Sequence, residues 1–190
     1  LVDAVSPIEL VTDRELVARC RQGDEQAFTE LVERHQQRAL NVAYQLLRNY
    51  EDAVEVAQDA FVNIYRHMAE FRGDCEFTTW LHQIVVNLAR NKHRWWQRRG
   101  RESMVSFDDP DRPQVAAAGD SPSATAAQTE FAQRLSEEMG RLPQKFREVL
   151  VLRNVEELTY DEIAVALGCS VGTVKSRIAR ARDQLRRMMQ

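Results

Sequence analysis

Two runs of cations are the residues of this chain best suited to a chemical task, and that task is gripping a polyanion. Arg90-Asn-Lys-His-Arg-Trp-Trp-Gln-Arg-Arg-Gly-Arg101 holds six bases and no acid. The closing stretch carries Lys175, Arg177, Arg180, Arg182, Arg186 and Arg187 against Asp183 alone. Each run ends an otherwise acidic block, so the net charge of -3 conceals two separate cationic surfaces. A charge run by itself is usually a solvated face, and context has to decide. In the first run Trp95 and Trp96 stand among arginines, a mixture able to stack on unpaired bases.

Other chemistry finds little support. Cys20, Cys75 and Cys169 lie far apart with no Cys-x-x-Cys spacing, which suggests a reducing compartment without a disulfide framework. His35, His67, His82 and His93 form no His-x-x-x-His pair, so no metal ligand is assigned. Neither a glycine-rich phosphate loop nor a nucleophile elbow is present, and no catalytic residue or cofactor is expected. An enzyme built on Cys75 and His82 is the weaker of two rivals to a nucleic-acid binder. Buried or incidental thiols are the commoner explanation for Cys75 and Cys169 than redox sensing. The longest run free of charged residues, Phe77 to Ala89, spans thirteen residues, short of the roughly eighteen a membrane helix needs. The first thirty residues carry several acids and no apolar core, unlike a secretory signal. A cytoplasmic protein is therefore expected.

The elements that must position these cations read as helices throughout. Thr12 with Glu15 fits a capping box opening a short helix that carries Leu16, Val17 and Cys20, with Gly23 placed to close it. Asp24 can cap a longer helix with Ala27, Phe28, Leu31, Val32, His35, Ala39, Val42, Ala43, Leu46 and Leu47 at steps of three and four. A third, about Glu51 to Met68, turns Val54, Ala57, Phe61, Ile64, Tyr65 and Met68 inward and shows Asp52, Glu55, Gln58 and Asp59 on its other face. The fourth begins near Phe77, buries Leu81, Ile84, Val85 and Leu88, and runs into the first cationic segment. Residues 102–129, with three prolines, small residues and acids, cannot support a core and read as a flexible linker. The chain thus divides into 1–101, the linker 102–129, and 130–190. The fold class is all-α, two small helical domains.

In the second domain Phe131, Leu135, Met139 and Leu142 form a stripe, and Pro143 fits the first turn of a helix carrying Phe146, Val149, Leu150 and Leu152. Thr159 with Glu162 then forms a second capping box. Gly168 supplies the left-handed stop, and Ser170 can cap the helix beyond it. Ile163, Ala164, Leu167, Val174 and Ile178 fall where two steeply crossing helices press together. This is a helix-turn-helix over about 160–179, and in that geometry Thr173, Lys175, Ser176, Arg177, Ala179 and Arg180 face a major groove.

Taken together, three stretches resemble the extracytoplasmic-function sigma factors, small two-domain members of the sigma-70 family of bacterial initiation factors. Glu55-Val-Ala-Gln-Asp-Ala-Phe-Val-Asn-Ile-Tyr-Arg66 is similar to that family's polymerase-binding helix. Phe71-Arg-Gly-Asp74 and Phe77-Thr-Thr-Trp-Leu-His-Gln-Ile-Val-Val-Asn-Leu-Ala-Arg-Asn91 resemble its promoter-melting segment, and residues 158–182 its minus-thirty-five reader. The resemblance implies that Asp52, Glu55, Gln58, Asp59 and Phe61 bind core RNA polymerase at the clamp helices of its largest subunit, with further contact at the flap region. It implies that Glu70, Phe71 and Arg72 form a loop receiving a flipped base of the minus-ten element. Asn87, Arg90 and Asn91 would face that strand, with Lys92, Arg94 and Arg98 on phosphates. Promoter DNA, both duplex and melted, would be the ligand. The acidic linker would thread toward the polymerase's RNA exit path, and an anti-sigma factor would hold both domains. Some relatives carry a governing C-terminal extension, which this chain, ending just past the reading helix, is expected to lack. A stand-alone helix-turn-helix regulator is the stronger rival; it would bind duplex DNA as a dimer and need no acidic docking face.

Overall fold

A computed structural model describes residues 11–100 and 126–190, with side chains in the second span from residue 130. Eight α-helices make up the described residues: α1 Asp13–Cys20, α2 Glu25–Leu47, α3 Tyr50–His67, α4 Phe77–Arg98, α5 Ala126–Arg141, α6 Gln144–Asn154, α7 Tyr160–Leu167 and α8 Val171–Met188. Most of the segment read as a linker lies outside them; its last four residues open α5.

Local chemistry sets most of the helix ends. Thr12 and Glu15 complete the capping box of α1, the Glu15 carboxylate accepting from the Thr12 amide at 2.7 Å and the Thr12 hydroxyl from the Glu15 amide. The Asp24 carboxylate accepts the Ala27 amide to start α2, and Asn49 accepts the Asp52 amide at 2.9 Å to start α3. Arg48, in the left-handed region at φ 58°, turns the chain between them. A single 3-10 turn, Met68–Glu70, follows α3 and delivers the Phe71 loop to α4. Pro143 sits at the cap of α6, one position before the helix, with extended ψ.

The first four helices bury one core. Leu31, Ala39, Val42, Ala43, Ile64, Leu81, Val85 and Val86 are fully enclosed. α3 differs from its sequence reading at Tyr65, which is 56% exposed and lies edge-on to Phe28 with ring centroids 5.0 Å apart. α4 differs at Trp96: it is 4% exposed, so its ring belongs to the core and cannot stack on a base. Trp95 alone stays outside, with the Arg99 guanidinium 4.4 Å from its ring centroid. Val149, Leu150, Val151 and Leu152 of α6 join Ile163, Leu167, Val174, Ile178 and Ala181 in the second unit, and their cluster is continuous with that of the first. Gly168 ends α7 at φ 62°, and Ser170 accepts the Thr173 amide to start α8, completing the helix-turn-helix.

The two units pack on each other through α2 and α4 on one side and α6 and α7 on the other. Polar contacts define this seam. Glu148, 2% exposed, accepts two hydrogen bonds from Arg90 at 2.8 and 2.7 Å. Glu156, 6% exposed, binds Arg38 and stands 3.0 Å from Nε2 of the fully buried His82. Arg147 donates to the carbonyl of Leu46 at 2.7 Å and to those of Met139, Gly140 and Leu142. Burial, with Arg48 nearby, pulls the Arg147 guanidinium down to about 10, still charged at neutral pH. Among the described residues no helix is long and apolar enough to cross a membrane.

Candidate nucleic-acid interface

The Phe71 loop and α4 enclose a cavity of about 680 Å³ lined by Glu70, Phe71, Arg72, Trp80 and Asn87 among others. Phe71 and Trp80 stack, centroids 4.5 Å apart and planes 14° from parallel, so one wall is a flat aromatic face. Asn63, Gln83 and Asn87 add amide donors and acceptors around it. A planar, hydrogen-bonding ring is the ligand such a wall suits. Val165 of α7 reaches the same cavity from the second unit.

Farther along α4 the cations divide. Arg90 leans to one side and is neutralised by Glu148, whose hydrogen bonds hold its pKa above the ordinary arginine value. Lys92 leans to the other side, 2.9 Å from Asp52 and 2.5 Å from Glu55. Burial lowers the Lys92 pKa, but those two carboxylates outweigh burial and hold it above its usual value. Arg94 bonds to Asn91, and Arg98 is exposed near the helix end. Asn87, Arg90, Asn91 and Arg94 share a cleft of about 760 Å³ with Lys145, Glu148 and Arg177 of the other unit.

On α8, Lys175, Ser176, Ala179 and Arg180 are exposed, while Val174 and Ile178 fix the opposite face in the core. Arg177 is half-buried and borders the cleft just described. Thr173 shares its hydroxyl with Ser170 at 2.9 Å, and the Ser176 hydroxyl donates to the Thr173 carbonyl. Both hydroxyls are thus partly engaged, leaving the charged side chains as the free donors.

The face of α3 read from sequence is split in the same way. Glu55, Gln58 and Asp59 are exposed together. Asp52 and Phe61 are each 8% exposed: Asp52 because Lys92 folds over the first turn, Phe61 because it points into the bundle. Sequence reasoning passed over Val62 and turned Tyr65 inward, yet the two are 46% and 56% exposed and set apolar surface beside the acids. Their spacing from Gln58, four and seven residues on, was the available signal. His82 and Cys75, the pair considered for catalysis, serve elsewhere: His82 is enclosed against Glu156, and Cys75 borders the loop cavity.

Comparison with known proteins bears on both units. Residues 31–101 match the family model for Sigma-70 region 2, and residues 132–185 that for Sigma-70, region 4. The chain is 35% identical over 181 residues to the RNA polymerase sigma-H factor of Pseudomonas aeruginosa, covering 94% of each. It is 35% identical over 180 residues to the ECF RNA polymerase sigma-E factor of Escherichia coli K12, covering 93% of this chain and 94% of that one. CnrH, solved in complex with the cytosolic domain of CnrY, is similar with a TM-score of 0.67 at 28% identity, over 93% of this chain and 96% of that chain. The sigma factor RpoE of Bartonella quintana, solved with the anti-sigma factor NepR, shares the fold at a TM-score of 0.65 and 22% identity, over 85% and 95% of the two chains.

Proposed function

Because this chain belongs to the extracytoplasmic-function sigma factors of the sigma-70 family, we propose that it binds core RNA polymerase, recognises the minus-thirty-five and minus-ten elements of a promoter, and initiates transcription there. The observation that carries this reading is the presence, on one chain, of an aromatic-walled cavity beside α4 and, on α8, of Lys175, Arg177 and Arg180 without an ion-pair partner among the described residues. The first suits a base drawn out of a melted strand; the second suits a duplex groove.

Drawing a base out of its stack costs a few kcal/mol. The Phe71–Trp80 pair and the amides of Asn63, Gln83 and Asn87 are placed to offset that cost. Arg72 and the α4 cations supply phosphate contacts on either side. Lys175, Arg177 and Arg180 divide the remaining work between base edges and phosphates of the minus-thirty-five duplex. The factor supplies specificity and strand opening, and the polymerase performs nucleotide addition. Glu55, Gln58 and Asp59, with Val62 and Tyr65 beside them, form the surface offered to the polymerase clamp. We further propose that an anti-sigma factor binds this chain, a reading supported by CnrH having been solved in complex with the cytosolic domain of CnrY.

The test is to mix the purified chain with bacterial core RNA polymerase on a sizing column and assay the co-eluting peak for promoter-dependent transcription. Co-elution with specific initiation is expected. A chain that stays free of the polymerase and binds duplex DNA as a dimer would overturn the proposal in favour of a stand-alone regulator.

A further inference from the structure

Helix α1 lies ahead of the segment matched by the Sigma-70 region 2 model, which begins at residue 31. It packs against α2 through Leu16 and Val17. Its position is firmly set. Asp13 receives Nε2 of His35 at 2.7 Å and Arg34 at 3.4 Å, Arg34 also donates to the Val11 carbonyl, and Leu16 and Val17 are buried. A helix anchored this way presents one fixed outer face. Arg14 and Arg21, seven residues and two turns apart, lie on the same side of it.

That side borders a cavity of about 310 Å³ whose opposite wall is the Phe71 loop, with Arg72 contributing a third guanidinium. Glu76 is the one carboxylate on its rim. Among the described residues no side-chain hydrogen bond or ion pair engages Arg14, Arg21 or Arg72, whereas Arg19 on the same helix is paired with Asp24 at 2.8 Å. Three of only eight Lys and Arg residues ahead of Arg90 therefore converge, unneutralised, on one concavity in an acidic domain. Such a concavity concentrates positive potential and draws a polyanion rather than a neutral ligand. The geometry also connects it to the base cavity. Phe71, Arg72 and Cys75 line both, so the two lie on opposite faces of one short loop.

We propose that the cavity between α1 and the Phe71 loop is a phosphate site for single-stranded DNA, in which Arg14 and Arg21 join Arg72 in holding the backbone next to the flipped base. This rests on the minus-ten reading above. A base passing one face of the loop carries its neighbouring phosphate toward the other, where three guanidinium groups each offer a fork of donors to phosphate oxygens. Contacts of this kind position the strand without reading its sequence.

The experiment titrates the full-length chain into a fluorescein-labelled pool of random-sequence single-stranded 15-mers, at salt concentrations from about 50 to about 200 mM, and reads the slope of log affinity against log salt. Each phosphate contact on a single strand contributes about 0.7 to that slope. The double variant R14Q/R21Q is expected to flatten it by about 1.4 and to weaken binding roughly tenfold at the middle of the range. R14K/R21K is expected to restore the slope, which a purely structural role for these side chains would not do. R19Q, whose cation is already paired, is expected to leave it unchanged. An unchanged slope in R14Q/R21Q, or equal flattening in R19Q, would overturn the proposal. F71A/N87A separates it from its premise. If that variant binds as the unaltered chain does, or the unaltered chain does not bind at all, the minus-ten reading falls and takes this site with it. If F71A/N87A loses binding while R14Q/R21Q keeps it, the phosphate site alone is rejected.

Discussion

The two helices proposed to meet promoter DNA carry their cations in opposite states. On α4, Arg90 is clasped by Glu148 of the second unit and Lys92 by Asp52 and Glu55 of the first. On α8, Lys175, Arg177 and Arg180 have no ion-pair partner among the described residues. The proposed minus-thirty-five surface is therefore ready as it stands. The proposed minus-ten surface has part of its charge already spent on carboxylates. Readiness also differs sterically: Val165 of α7 borders the base cavity and Arg177 the α4 cleft, so the reader of one element leans over the reader of the other. On the proposed function, binding both elements at once would part the seam between the units. Variants at Arg147, Glu148 and Glu156 test whether the seam is what separates the two surfaces.

The largest effect is expected at Arg147, whose guanidinium donates to four carbonyls at the seam. R147M removes the donor to four carbonyls, one of them Leu46 in α2. Orphaned buried carbonyls cost about 1–3 kcal/mol each, and water reaches some of these, so a loss of about 3 kcal/mol is expected in urea unfolding. Small-angle scattering should record an expanded chain before the global transition. A variant as compact and as stable as the unaltered chain would remove Arg147 from the seam's support.

Next is Glu148. E148Q keeps the shape and one acceptor but removes the charge facing Arg90, whose side chain is 29% exposed. The freed guanidinium should add about 0.7 to the salt slope for single-stranded DNA, with several-fold tighter binding. Duplex binding through α8 should not change. Conversely, R177A should weaken duplex binding by about 1–3 kcal/mol if Arg177 reads a base, and leave the single-strand slope alone. Parallel changes in both assays from either variant would erase the distinction between the surfaces. A smaller change is expected from Q58A/D59A, exposed residues at a rim, where polymerase affinity should fall several-fold while both DNA assays stay constant.

The parts of this molecule that were legible in its sequence are the ones set by neighbours three or four residues away. Both capping boxes, Thr12 with Glu15 and Thr159 with Glu162, formed as their spacing required. So did the Gly168 stop and the Ser170 cap, and with them the order of helices and the faces of α7 and α8. What the pattern could not carry was the identity of partners far along the chain. Glu148 lies 58 residues from Arg90, and Glu156 118 residues from Arg38. No local periodicity marks either glutamate as anything but a surface acid, yet both are buried. Trp96 failed for a related reason: a cationic context suggested an exposed aromatic, but helix rotation turned it into the core while Trp95, one residue back, stayed out. Tyr65 failed in the other direction, because α3 is the outer helix of its bundle there and Phe28 covers only one edge of the ring.

Glu156 gives the smallest effect and the one that depends on pH. Burial alone raises the carboxyl pKa, but the adjoining His82 from α4 and Arg38 from α2 outweigh burial and hold it below the ordinary glutamate value. Glu162, on α7 nearby, is also held below the ordinary glutamate value, by the Thr159 hydroxyl and amide. A carboxyl more acidic in the folded state favours the folded, closed arrangement at every pH above its unfolded value. That contribution is lost as pH falls through about 4.3 toward the lower folded value. The unaltered chain should therefore loosen at the seam in this window, read by energy transfer between dyes placed on α2 and α6. E156Q should start looser and show no further change there. Since Arg38 is 44% exposed and screened by solvent, the difference should stay below about 1 kcal/mol. If E156Q tracked the unaltered chain throughout the window, Glu156 would play no part in holding α4 beneath the second unit, and the sequestering of the minus-ten surface would rest on Glu148 and Arg147 alone.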